Sequence, residues 1–121
     1  MTADIKTELA RRALLIIQDA ISQNAIPVMV QQTKFLVAIL AAEIEENFDD
    51  SEKDMLENFM KTLDGKYQEF LNPAIRLEGV VPAEQQMAMV EAERRKIANE
   101  IYNCVNDIVK KLITHCRGVF G

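Results

Sequence analysis

Apolar positions are densest in Val28–Ala42, VMVQQTKFLVAILAA, where eleven of fifteen residues are apolar and Phe35 to Leu40 run without a polar break. At about 100° per residue these side chains surround a helix on nearly all sides, whereas a surface helix shows a single apolar stripe. Such a helix must be covered from several directions. It predicts a central element, from Pro27 to about Asn47, around which the other segments pack. A membrane span needs ~20 apolar residues, and Gln31, Gln32 and Lys34 interrupt this run. The run reads as a soluble core helix, with no membrane insertion.

The flanking segments follow helical periods. From about Ala3 to Gln23, Ile5, Leu9, Ala13, Ile16, Ile17 and Ala20 share one face, and Leu14 and Ile21 widen it to nearly half the helix. Leu15 falls alone among Arg11, Gln18 and Ser22. Asn24-Ala25-Ile26-Pro27 interrupts the helix, because a residue before proline avoids helical geometry and proline suits a first turn. Phe48-Asp49-Asp50-Ser51-Glu52 is a start signal: either Asp can cap, a Glu follows, and Phe48 can staple. From about Ser51 to Leu71, Met55, Leu56, Phe59, Met60, Leu63, Tyr67, Phe70 and Leu71 fit one face. Asn72-Pro73 ends that segment, and PAIRLEGVVP (73–82) is the longest irregular stretch, with Gly79 able to end a short turn.

The last segment, Ala83 to about Arg117, reads as one helix of ~50 Å. Ile97, Ile101, Val105, Ile108, Leu112 and Cys116 form its stripe, with Arg94 in the middle of the stripe's upstream extension. The stretch Ala83–Lys96 therefore reads as solvated, overhanging the bundle or bending away from it. Four helices with short connections predict an all-α, antiparallel four-helix bundle, up-down-up-down, with a long C-terminal helix. At 121 residues and 49% apolar content the whole chain, residues 1–121, forms a single domain.

Charge and candidate chemistry change this picture little. The net charge is −5, divided as +1 over residues 1–42, −10 over 43–93 and +4 over 94–121. The acidic middle disfavours nucleic acid, and the basic Arg94, Arg95, Lys96, Lys110, Lys111 and Arg117 spread around their helix instead of forming a stripe. A di-metal carboxylate bundle needs two Glu-x-x-His pairs, and the one histidine, His115, belongs to none. Cys104, His115 and Cys116 fail as a metal set: Cys104 and His115 lie ~16 Å apart along the axis, and Cys116 points away from both. The run from Glu43 to Glu52 lacks the order and the glycine of a calcium loop. No phosphate-cradling loop or nucleophile motif is present, so neither an enzyme nor a cofactor is expected. The start MTADIKTELARR lacks the order of a signal peptide, and two cysteines in one helix make no disulfide framework. Cytoplasm is the expected compartment.

Gln85-Gln86-Met87-Ala88, with Arg95-Lys96-Ile97, Glu100, Cys104 and Asp107-Ile108-Val109, resembles a helix of the 14-3-3 proteins, which are helical phosphopeptide adaptors. The resemblance spans about a quarter of the chain and needs a gap. The Arg- and Tyr-bearing stretches of that family's phosphate pocket have no counterpart here, so no function is carried over.

The expected function is a non-enzymatic interaction or adaptor module that self-associates, with a homodimer as the simplest closed form, and that binds a protein partner through an apolar patch. The residues expected at that surface are Leu14, Leu15, Ile21, Val30, Val37, Met87, Met89, Arg94 and Arg95. In a dimer Arg94 and Arg95 would meet the acidic corner around Glu45, Glu46 and Asp49. A carrier of an apolar small molecule or lipid between helices is the alternative.

Overall fold

The computed structural model describes residues 3–120; Met1 and Thr2 of the N-terminal stretch discussed above lie outside it. Every element among the described residues is helical: α1 (Ala3–Ser22), α2 (Ile26–Ile39), α3 (Ala41–Asn47), α4 (Asp50–Leu71), α5 (Ala74–Leu77), α6 (Ala83–His115) and α7 (Arg117–Phe120). The all-α expectation holds. The closest packing joins α1 to α2 and α4 to α6, and the two pairs meet through α2 against α6.

Local chemistry explains most boundaries. Asn24 takes a left-handed backbone, φ 56°, which asparagine tolerates. This lets the Ala25 amide donate to the Ala20 carbonyl at 2.8 Å, closing the end of α1. Pro27 sits in the first turn of α2. At α4, Asp49 accepts from the Glu52 amide at 2.8 Å and Glu52 accepts from the Asp49 amide at 3.2 Å, the reciprocal cap expected there. Gly79, at φ 75°, turns the chain after α5. α4 and α6 are antiparallel: Glu52 pairs with His115, Cys104 donates to the Phe59 carbonyl, and Lys66 donates to Glu100.

The predicted central helix is not continuous. It bends by 62° between α2 and α3, at Leu40 (φ −90°, ψ 12°). Neither glycine nor proline marks the bend. Two turns upstream, Thr33 is fully buried and donates its hydroxyl back to the Met29 carbonyl at 2.7 Å. Tertiary contacts draw α3 aside: Lys6 donates to Glu43 at 3.1 Å, and Phe48 is buried with its ring 4.7 Å from that of His115. A straight helix would carry these residues past the end of the core. Taken singly, no helix among the described residues is long and apolar enough to cross a membrane.

The buried face also differs from the expected one in places. In α1 it is Ala10, Ala13, Ile17 and Ala20, while Ile5 and Ile16 are exposed. In α4, Met55 and Leu71 are exposed. α6 packs earlier than expected: Glu93 is only 8% exposed and Arg94 is half-buried, so the solvated start of this helix is shorter than Ala83–Lys96. The core joins these faces to Met29, Leu36 and Leu40 of the bent segment and to Ile97, Ile101, Val105, Ile108 and Leu112 of α6.

Leu36 is fully buried and Leu15 is 64% exposed. In denaturant unfolding, Leu36→Ala is expected to cost ~2–5 kcal/mol, and Leu15→Ala far less. Equal losses would mean that the covered surface is misassigned.

Candidate functional site

α2 packs on α1 and α6 but touches α4 only lightly, so its flank toward α4 lies open. Two concavities follow this seam. One, of about 290 Å³, is lined by Pro27, Val30, Gln31 and Lys34 of α2 and by Tyr67 of α4. The other, of about 380 Å³, is lined by Val37 and Ala38 of α2, Ala41 and Ile44 of α3, and Lys53, Leu56, Glu57 and Met60 of α4. The bend at Leu40 lets α3 close the far wall of this second, largely apolar groove. Alanines at 38 and 41 keep that wall shallow enough for another surface to approach.

Ion pairs tie the groove's rims. Lys34 pairs with Asp64 between the two concavities, and Lys53 pairs with Glu45 at 2.9 Å beside the second. Lys34 and Asp64 are both well exposed, so their link contributes at most ~1 kcal/mol and can be exchanged for another partner. Beside the groove stands Phe35, 46% exposed, while Met29, Leu36 and Ile39 of the same helix are buried.

The residues expected at a partner surface are scattered. Val37 lines the larger groove. Val30 lines the smaller concavity from beneath and is itself only 2% exposed. Leu14 and Ile21 are half-buried on α1, and Leu15 is exposed. Met87, 90% exposed, and Met89 stand on the first turns of α6. Arg94 and Arg95 share a small pocket with Asn24, Ile26, Phe70, Glu91 and Ala98, at the opposite end of α4 from Asp49. Arg94 is already engaged within the chain. It donates to the Phe70 carbonyl at 3.4 Å and to Glu91 at 2.6 Å, and its guanidinium lies 5.9 Å from the Phe70 ring centre. It therefore serves the last turn of α4, where a cation complements the helix dipole.

Sequence reasoning missed a second polar centre. Arg76, in the stretch read as irregular, donates to Glu100 at 2.6 Å and lies 3.1 Å from Glu93 and 3.7 Å from Glu69. Lys66 reaches Glu100 at 2.7 Å. The hydrogen bond to Glu100 raises the affinity of Arg76 for its proton. Burial pushes the Glu100 carboxyl up, but hydrogen bonds from Lys66 and Arg76 outweigh it and hold Glu100 below its ordinary value. The cluster fastens α5 to α4 and α6. A lone arginine between prolines carries no periodic signal that could have revealed it.

The thiols lie apart from the groove. Both are free and buried. Burial raises the pKa of Cys104, and burial with the nearby Glu43 carboxylate raises that of Cys116 to about 11. Among the described residues no group of three or more His, Cys, Asp or Glu side chains is placed to hold a metal ion. Comparison with family models, curated proteins and solved structures finds no match.

Two outcomes follow. A carboxyl held below its ordinary pKa in the folded state adds stability that is present above its unfolded value and lost as the pH falls through the folded one. Unfolding followed against pH should therefore show a shallower acid loss in Glu100→Gln than in the parent chain; parallel curves would contradict the cluster. Thiol-specific reagents at neutral pH should label neither Cys104 nor Cys116 until the chain unfolds, because the reactive thiolate is scarce and covered. Prompt native labelling would contradict their placement.

Proposed function

We propose that this chain is a non-enzymatic binding module: a four-helix, up-down-up-down bundle that self-associates and docks a protein surface in the groove along α2, α3 and α4. One observation carries the reading. The most apolar segment of the chain is left uncovered along one flank, and apolar side chains from three helices shape that flank into a concavity. Exposed, contiguous apolar surface of this kind marks interaction sites, and grooves between helices accept the apolar face of another helix. The alternating topology fits the antiparallel α4–α6 pair and the link from Lys6, near the start of α1, to Glu43, just beyond α2.

The alternative, a carrier of an apolar small molecule, has some support from volume, since about 380 Å³ lies within the range of small-molecule sites. The groove is broad and open where such a ligand would need enclosure, which favours a protein surface. Two free, buried thiols accord with a reducing compartment such as the cytoplasm.

A benzophenone-bearing residue placed at Glu57, in the groove wall, tests the reading in cells making the chain, with Gln18 on the outer face of α1 as control. Protein adducts are expected from position 57 and not from 18. Lipid or small-molecule adducts at 57 would establish the carrier instead, and the absence of any adduct specific to 57 would overturn both.

A further inference from the structure

The geometry points to a second binding site, in the recess between the end of α6 and α7, for a small phosphate monoester carried on a single ring. The first observation is where unpaired positive charge lies. Among the described residues, Arg11, Arg95, Lys110, Lys111 and Arg117 make no ion pair, whereas every other Lys and Arg does. All of these but Arg95 gather where α6 gives way to α7, Arg11 by donating to the Val119 carbonyl at 2.8 Å. The second observation is the recess itself. α6 stops at His115, Cys116 (φ −114°, ψ 48°) turns the chain, and α7 follows as one further turn. Buried Val119 and its bond from Arg11 hold α7 against α1. Arg117 and Phe120 thus stand beside Ile113 and Thr114, and the four line about 300 Å³. None of them lines the groove along α2, so the two sites are separate.

The lining selects the ligand. Ile113, 39% exposed, and half-buried Phe120 offer an apolar wall against which a ring can lie. Thr114 and Arg117 are exposed, and their side chains make no hydrogen bond among the described residues. Lys110 and Lys111 lie four and three residues before Thr114, spacings that make neighbours on a helix surface. A phosphate monoester brings a charge of about −1.5 to −2 and three acceptor oxygens. It can meet the Arg117 fork, the Thr114 hydroxyl and a lysine together, where a carboxylate has only two oxygens. Two features oppose an anion. The carbonyl end of α6 carries about half a negative charge, and Asp107 stands ~10 Å before Thr114 along the axis. The full charges on Lys110, Lys111 and Arg117 outweigh both. The volume lies at the lower end of small-molecule sites, which suits one ring and its phosphate.

Phenyl phosphate is the probe, titrated into the full chain at low salt while amide shifts are followed by nuclear magnetic resonance. Saturable shifts are expected at Ile113, Thr114, Arg117 and Phe120, with affinity at least about tenfold above that of phenol or of inorganic phosphate. Arg117→Gln should weaken binding by about tenfold at unchanged helical content, because it removes the charged fork. Arg95→Gln, which removes the unpaired cation outside the recess, should leave binding unchanged. Absence of saturable shifts, an equal loss in Arg95→Gln, or phenol or inorganic phosphate binding as tightly as the probe would each overturn the site. If Arg117→Gln does not fold, Lys110→Gln decides in its place: weaker binding supports the site and unchanged binding overturns it. Adducts from position 57 should be the same in the parent chain and in Arg117→Gln, so this site and the groove stand or fall separately.

Discussion

The fold depends on covering one segment, Val28–Ala42, that is apolar on nearly every side. Three neighbouring helices in so short a chain cannot enclose it. α1 and α6 take two flanks, and the bend at Leu40 then turns the remainder across the end of the core instead of out into solvent. The bend buries Leu40 and Phe48 and brings Glu43 to Lys6. It leaves one flank of α2 bare toward α4. The groove is thus the residue of an incomplete packing solution, and its position follows from which sides α1 and α6 occupy.

The two ends of the helix packing are held differently. Around Phe48 the fastening is a reciprocal helix cap, a ring contact and the pairing of Glu52 with His115. At the other end Arg76 gathers Glu69, Glu93 and Glu100, while Arg94 serves the last turn of α4. No residue of either fastening lines the groove. The pairs that do cross its rims, Lys34–Asp64 and Lys53–Glu45, each include a well-exposed member and are weak. Loss of these rim pairs would leave untouched what holds the helices together.

Much of this architecture is legible in the residues. The cap at Asp49–Glu52, the amphipathic run to Leu71 and the stripe from Ile97 to Cys116 are local signals, set by spacing and short-range hydrogen bonding, and the structure follows them closely. The bend at Leu40 is not local. No breaker marks it, and the pull comes from residues distant in sequence, Lys6 and His115. Arg76 was hidden for a similar reason, since its partners are supplied by two other helices. For the candidate site, the all-round apolar character of the central segment indicated that some surface would stay bare. Which flank remained bare depended on packing, so spacing alone could not tell that Val37 would line the larger groove, that Val30 would lie beneath the smaller one, or that Phe35 would stay half-exposed.

The central claim is that the apolar segment breaks at Leu40 and folds its second part over the end of the core. Nuclear magnetic resonance of the labelled chain tests this most directly. An interruption of helical carbon shifts at Leu40, together with cross-peaks between the Phe48 and His115 rings, whose centres lie 4.7 Å apart, is the expected result. Helical shifts running unbroken through residues 36–44, with no contact between those rings, would contradict it.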